Sequence, residues 1–140
     1  MKRGGFLKRK TGLKRKSKSE TRVVQDLLWN ECRRIILGRY AKNEKNYCFT
    51  CEKEIEKQNR QVGHFIPNSV GGALLRYNLD NLRPQCYYCN INLGGNGSLF
   101  YKKLLEEKDQ KYIDNLFKLK GQTIKALDHY KELLKQYEQL

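Results

Sequence analysis

Apolar residues recur at steps of three and four after Ser19, which is the pattern of one face of an α-helix. The spacing predicts a helix over residues 20–41, with Ser19 as its N-cap. Cys32 lies within the apolar stripe, so we expect a buried thiol there and not a metal ligand. The stripe consists of Val24, Leu27, Leu28, Cys32, Ile35, Ile36 and Tyr40.

The remainder of the chain predicts a short strand followed by helices. Weak alternation favours a strand over residues 61–66, and a glycine pair indicates a flexible loop over residues 69–73. A helical pattern spans roughly residues 98–119, broken near Asp109, and a final helix is expected over residues 122–138. The C-terminal helices either pack on the first helix or form a contact between two copies, and the pattern does not decide between these.

Composition changes this picture first at the start of the chain. The sequence holds 29 basic and 15 acidic residues, for a net charge of +14, and nine of the basic residues lie in residues 1–18. Such a block repels itself and is expected to be disordered when free. A polyanion, most often nucleic acid, is the expected partner. Candidate DNA contacts here are Lys8, Arg9, Lys10, Lys14, Arg15 and Lys16.

The same composition argues against a membrane partner. No apolar run approaches the ~20 residues of a membrane span, and the N-terminus lacks the apolar core of a signal peptide. We therefore expect a cytoplasmic protein. Four units are predicted: a basic tail, an N-terminal helix, a central core and a C-terminal helical region. Their bounds are residues 1–18, 19–46, 47–97 and 98–140.

Two pairs of cysteines with Cys-x-x-Cys spacing lie in the central unit. Cys48 and Cys51 form the first pair, and Cys86 and Cys89 form the second. In a reducing cytoplasm, such pairs are more often metal ligands than disulfides. Four thiolates complete a closed tetrahedral zinc site with no open position for a substrate. We therefore predict a structural Zn²⁺ on which the central fold depends.

The predicted zinc site brings both cysteine pairs together, so the chain between them must run out and return. His64 lies on the outward limb, Asn81 on the return limb, and Asn90 directly after the last cysteine. Neutral imidazole suits a general base, because its unperturbed pKa is about 6.5. Amide oxygens suit a hard cation such as Mg²⁺, or brace a loop by hydrogen bonds. Phosphodiester hydrolysis needs such a base and such a cation.

This arrangement of strand, strand and helix resembles the ββα-metal pattern, also called HNH or His-Me finger. More narrowly, the chain resembles the NinG/Rap family of lambdoid-phage recombination endonucleases over residues 48–96. The resemblance implies an α+β fold, with a zinc-stapled ββα-metal core flanked by an N-terminal helix and C-terminal helices. The motifs that carry it are Gly63-His64, Leu75-Arg76-Tyr77-Asn78, Asn81, Gln85-Cys86, Cys89-Asn90 and Gly95-Asn96.

Family membership implies hydrolysis of phosphodiester bonds in branched DNA, such as Holliday junctions and D-loops, inside a bacterial host cell. His64 would be the general base, and Asn81 would hold the catalytic loop. Asn90 would ligate a catalytic Mg²⁺ or Mn²⁺, with His64 as a further candidate ligand. Arg76 would contact a phosphate or the branch point. Many HNH enzymes carry an aspartate where this chain has Gly63, and the reserve ligands are Asp80, Asn92 and Asn96.

Two other hypotheses stay open at this point. One is a general HNH nuclease that acts on duplex DNA in packaging or restriction. The other is a zinc-stabilised nucleic-acid-binding protein without catalysis, in which His64 is an ordinary surface or core histidine. Tyr87 and Tyr88 either stack on bases or pack around the cysteines. Symmetric cutting of a four-way junction needs two active sites, which is compatible with a homodimer.

Overall fold

The first helix begins and ends close to its predicted bounds. The computed structural model describes residue 12 and residues 16–140, so most of the predicted basic tail lies outside the described residues. Helix α1 spans Glu20–Arg39. The side chain of Ser19 accepts a hydrogen bond from the backbone N–H of Arg22 at 3.2 Å, which satisfies one of the free donors of the first turn.

Two small antiparallel sheets follow. Strand β1 (Asn46–Tyr47) pairs with β2 (Glu54–Ile55), and β3 (Gln61–His64) pairs with β4 (Leu82–Gln85). The register of the second pair places Gly63 opposite Arg83. The predicted strand is therefore present but ends at His64. The mixture of helices and small sheets confirms the predicted α+β class at this level.

The segment between β3 and β4 is helical, so the predicted flexible loop is wrong. Helix α2 spans Asn68–Gly71 and helix α3 spans Ala73–Arg76. Gly72 separates them with a φ of +81°, a conformation that favours glycine. The glycine pair therefore breaks one helical stretch into two short turns, and does not open a loop. After β4, one turn of wide π-type helix covers Tyr88–Asn92.

Three helices complete the chain: α4 (Gly97–Glu107), α5 (Gln110–Leu119) and α6 (Ala126–Glu138). The break near Asp109 is confirmed, and its side chain caps α5 by accepting a hydrogen bond from the N–H of Tyr112 at 2.8 Å. Helix α6 begins four residues later than predicted. The chain between α5 and α6 is bonded to α2, because the N–H of Gly121 donates to the carbonyl of Gly71 at 2.9 Å.

Helix α6 packs on α1 within one chain. The last helix therefore takes the first of the two predicted arrangements, packing on the first helix. Leu27, a member of the predicted stripe, is 47% exposed and lies outside this core. Among the helices of the described residues, none is both long and apolar enough to cross a membrane. The core joins both helices to the β3–β4 hairpin through Val24, Leu28, Cys32, Ile35, Ile36, Val62, Tyr77, Leu82, Tyr130 and Tyr137.

Candidate functional site

The four paired cysteines converge on one point. The Sγ atoms of Cys48, Cys51, Cys86 and Cys89 all lie within 4.8 Å of one another. Cys51 Sγ and Cys86 Sγ are 3.8 Å apart. Two sulfurs that each lie ~2.3 Å from a zinc ion at the tetrahedral angle are separated by ~3.8 Å. The cluster can therefore hold a structural metal such as zinc, as the spacing predicted.

Polar groups around the cluster point at its sulfurs. Thr50 Oγ1 lies 3.3 Å from Cys48 Sγ, the N–H of Cys89 points at Cys86 Sγ, and the Asn96 amide points at Cys89 Sγ. Such bonds favour the thiolate form that binds metal. Cys32 lies outside the cluster, and burial raises the pKa of its thiol to about 12. That thiol stays protonated at neutral pH, as expected for a core residue.

His64 is the last residue of β3, and one edge and one face of its ring are constrained. Its Nε2 lies 2.7 Å from the backbone carbonyl oxygen of Arg76. Because a carbonyl can only accept, this bond places the ring proton on Nε2 and leaves the lone pair on Nδ1. Trp29 of α1 stacks on the ring, with centroids 5.4 Å apart and planes 8° apart. The imidazole is therefore held in one tautomer and one orientation.

The electrostatic environment keeps this imidazole neutral. Burial lowers the pKa of His64 below its ordinary value of 6.5. The bond to the Arg76 carbonyl opposes this shift, and the positive charge of Arg76 adds to it. The net effect is an uncharged ring at neutral pH, which is the form that can accept a proton.

Asn81 braces the chain that follows His64. Its side chain is fully buried; Oδ1 accepts from the N–H of Ile66 at 2.8 Å, and Nδ2 donates to the carbonyls of Ile66 and Leu75. The backbone N–H of Phe65 also donates to the Asn81 carbonyl. Asn81 therefore fixes the two residues after His64 against α3, without facing a substrate itself.

Asn90 lies on the opposite side of β3. Side chains alternate along a strand, so Val62 and His64 face α1, whereas Gln61 and Gly63 face the turn that carries Asn90. Asn90 Nδ2 donates to Gln61 Oε1 at 2.8 Å, which directs Asn90 Oδ1 toward Gly63. The His64 ring and the Asn90 amide are thus on different faces of the same strand.

Gln85 is part of this arrangement, although the sequence assigned it no role. Its side chain is fully buried, and Nε2 donates to Thr50 Oγ1 at 3.2 Å and to the Gly95 carbonyl at 2.9 Å. Its Oε1 has no hydrogen-bond partner in the part of the chain that the structure describes. The amide links the cysteine cluster, through Thr50, to Gly63 beside His64. In the sequence, Gln85 stands out only as part of the Gln-Cys motif, because a single glutamine carries no local pattern that indicates a functional role.

A cavity of about 470 Å³ lies beside Asn90. Its lining contains two guanidinium groups and no carboxylate, together with two aromatic side chains. Cations suit phosphate and aromatic faces suit bases, so the cavity fits a nucleic-acid strand in charge and chemistry. The residues that line it are Trp29, Arg33, Gln58, Asn59, Arg60, Gln61, Val62, Tyr87 and Asn90.

A larger cavity of about 890 Å³ lies away from these groups. Its lining contains three lysines and three glutamates. Two of these glutamates form salt bridges, Glu52 with Lys103 and Glu107 with Arg83. His64 lines neither cavity, and Asn90 lines only the smaller one. The smaller cavity is therefore the better candidate, because it joins Asn90 to two guanidinium groups that make no salt bridge within the described residues.

The other predicted residues have varied surroundings. Arg76 contributes its carbonyl to His64, and its guanidinium lies over the Tyr77 ring and makes no salt bridge within the described part of the chain. Asp80 and Asn92 are exposed, whereas Asn96 points at Cys89. Tyr87 and Tyr88 are 54% and 59% exposed, so they do not pack around the cluster. Of the six basic residues named from the tail, only Lys16 is described, and it is exposed.

Comparison with known proteins identifies one family. The sequence model of the family described as "Bacteriophage Lambda NinG protein" matches residues 2–140, which is nearly the whole chain. No curated protein matches the chain. No solved structure matches it.

Proposed function

Since the chain belongs to the NinG family of bacteriophage lambda, we propose that it is a metal-dependent DNA endonuclease with His64 as its general base. The resemblance to HNH enzymes gives the reaction class, which is hydrolysis of a phosphodiester bond. The resemblance to the NinG/Rap family gives the substrate class, which is branched DNA such as a Holliday junction or a D-loop. The protein would act on this DNA inside the bacterial host of the phage.

The observation that carries the proposal is the bond between His64 Nε2 and the Arg76 carbonyl. It leaves Nδ1 with a lone pair, and burial favours the neutral ring. A neutral, oriented imidazole can take the proton of an attacking water as that water approaches phosphorus. Asn81 supports this role by holding the residues that follow His64.

Asn90 would hold the catalytic Mg²⁺ or Mn²⁺, because it presents an amide oxygen, a ligand that such cations accept, at Gly63. When bound there, a divalent cation would stabilise the negative charge that grows on the phosphate. Because the His64 ring lies on the other face of β3, the phosphate would have to reach both groups at the end of the strand, where His64 is the last residue. Arg33 and Arg60 in the smaller cavity would hold neighbouring phosphates, and Tyr87 would stack on a base. Basic residues of the tail would add affinity that does not depend on DNA sequence.

The test is a cleavage assay on a four-way junction, a three-strand branch and a linear duplex of matched sequence, with Mg²⁺ or Mn²⁺. We expect His64→Ala to lose about 10²- to 10⁴-fold in cleavage rate, because it removes the base, and to keep its affinity for DNA. The matched control is His129→Ala, which removes the only other histidine, on α6.

Each result separates one hypothesis from the others. Cleavage of branched DNA that depends on His64 supports the proposal. Equal cleavage of all three substrates favours a general HNH nuclease for duplex DNA. Binding without cleavage by the wild type, or cleavage that survives His64→Ala unchanged, rejects His64 as the base. Binding without cleavage favours the non-catalytic zinc protein, in which the exposed Tyr87 and Tyr88 would stack on bases.

A further inference from the structure

Gln85 Oε1 is buried without a hydrogen-bond partner among the residues that the structure describes. The orientation of the amide is not arbitrary, since Nε2 lies 2.9 Å from the Gly95 carbonyl, which can only accept. The oxygen must therefore point the other way, at Gly63. Burial of a carbonyl oxygen without a partner is unfavourable, so its placement requires a reason.

A second amide oxygen approaches the same place. A Cβ atom built on Gly63 would lie 1.8 Å from Gln85 Oε1 and 3.1 Å from Asn90 Oδ1. Both amides are oriented by acceptors on their far sides: Gln85 Nε2 donates to the Gly95 carbonyl, and Asn90 Nδ2 donates to Gln61 Oε1. The absence of a side chain at Gly63 thus leaves space for two oxygens of partial negative charge. Two such dipoles side by side repel each other unless a positive charge lies between them.

We propose that Gln85 Oε1 and Asn90 Oδ1 are paired neutral ligands for a divalent cation at Gly63. This inference rests on the proposed function of the same site and adds a ligand to it. Hard cations such as Mg²⁺ and Mn²⁺ prefer oxygen ligands, amide carbonyls included. Asn90 lines the smaller cavity, so the cation can enter from that side. Waters complete the shell in the free protein, and phosphate oxygens of bound DNA replace some of them and strengthen binding, because neither protein ligand is charged.

A purely structural role for Gln85 makes different predictions. In that case, the amide acts through Nε2, which ties Thr50 to Gly95, and Oε1 makes only a weak contact with the Cα–H of Gly63. Replacement of Gln85 by glutamate separates the two roles. It keeps an oxygen near the Oε1 position and adds charge for a cation, but it removes both Nε2 hydrogen bonds.

The experiment is a Mn²⁺ titration of the full-length, zinc-loaded protein, followed by the electron paramagnetic resonance of free Mn²⁺. We expect Gln85→Glu to bind Mn²⁺ about tenfold more tightly than the wild type, since affinity rises with ligand charge. Gln85→Leu should bind about tenfold more weakly. The matched control is Gln110→Leu, which removes an exposed amide at the start of α5, and it should bind as the wild type does.

Mn²⁺ affinity in Gln85→Glu that is equal to or weaker than in the wild type overturns the proposal. If the variants do not fold, the wild type decides by nuclear magnetic resonance. Mn²⁺ should broaden the side-chain amide signals of Gln85 and Asn90 before that of Asn46, which bonds to the Leu37 carbonyl instead. Broadening that spares Gln85 rejects it as a ligand.

The two proposals fail in distinguishable ways. Cleavage that depends on His64, without Mn²⁺ at Gln85, rejects the ligand and keeps the nuclease. Mn²⁺ at Gln85 with no cleavage of any DNA keeps the ligand and rejects the nuclease.

Discussion

The helix pair, α1 and α6, and the site region, residues 46–97, are stabilised in different ways. Apolar stripes hold the helix pair, with Val24 and Leu28 of α1 in the same core as Tyr130 and Tyr137 of α6. In the site region, the core around the cysteine cluster holds only Ile55 beside the four cysteines. Conversely, every buried polar residue of the described chain lies there: Asn46, Thr50, Asn81, Arg83 and Gln85.

This contrast shows which interactions fix the positions of the side chains in the site. Apolar burial has no direction and tolerates changes of shape. Hydrogen bonds and metal–ligand bonds are directional, so they fix an imidazole or an amide to within tenths of an ångström. The site region therefore gains geometry at the cost of an independent apolar core. Three tests should break or sharpen this comparison.

The largest effect is expected from loss of the metal. A structural zinc contributes an apparent ~10–16 kcal/mol at neutral pH, and the few apolar residues near the cluster cannot replace it. Cys86→Ser or a strong chelator should therefore expose the amides of residues 46–97 to rapid hydrogen exchange, while those of α1 and α6 exchange more slowly. Mass spectrometry of exchange measures both regions at once.

The matched control for this prediction is Cys32→Ala, which removes the cysteine outside the cluster. It should keep one zinc per chain and the exchange pattern of the wild type. If chelation left the exchange of residues 46–97 unchanged, the cluster would not be the support of the site region.

A smaller difference should appear between two conservative substitutions. Asn81→Asp keeps the shape of the side chain but loses the donors to the carbonyls of Ile66 and Leu75, at a cost of about 3 kcal/mol in unfolding free energy. Leu28→Met keeps volume in the helix pair and should cost less than about 1.5 kcal/mol. Urea unfolding of the zinc-loaded protein measures both, and equal losses would remove the distinction between the regions.

The smallest effect concerns the boundary, where Trp29 of the helix pair covers His64 of the site region. Burial lowers the pKa of His64 from 6.5, so more than half of the base is neutral at pH 6.5. The single-turnover cleavage rate should therefore begin to fall at a lower pH than it would for an ordinary histidine. It should fall about tenfold per pH unit only below the lowered pKa.

Substitution of Trp29 tests whether its cover over the His64 ring lowers the pKa of that histidine. Trp29→Ala admits water to the ring, so the pKa should rise toward 6.5 and the decline in rate should begin at higher pH. Trp29→Phe keeps an apolar cover and should follow the wild type. Coincident profiles for Trp29→Ala and the wild type would show that burial by Trp29 does not set the pKa.

Local signals in the sequence predicted most of the elements. Ser19 and Asp109 were readable as helix starts because a cap acts within one turn of its own helix. The predicted loop over residues 69–73 was wrong, since a glycine pair is equally able to divide two short helices. The late start of α6 could not be anticipated either. It depends on the bond from Gly121 to Gly71, fifty residues earlier in the chain.

The candidate site divides along the same line. The sequence alone predicted the four cysteines that can hold a metal, because Cys-x-x-Cys spacing needs no tertiary context, and it singled out His64, Asn81 and Asn90. Only the tertiary structure decided which atom of His64 carries the proton, what covers its ring, and that the Gln85 amide fills the space over Gly63. These features are contacts between residues far apart in the chain. No local periodicity records such contacts, so they exist only once the packed core and the cysteine cluster bring the segments together.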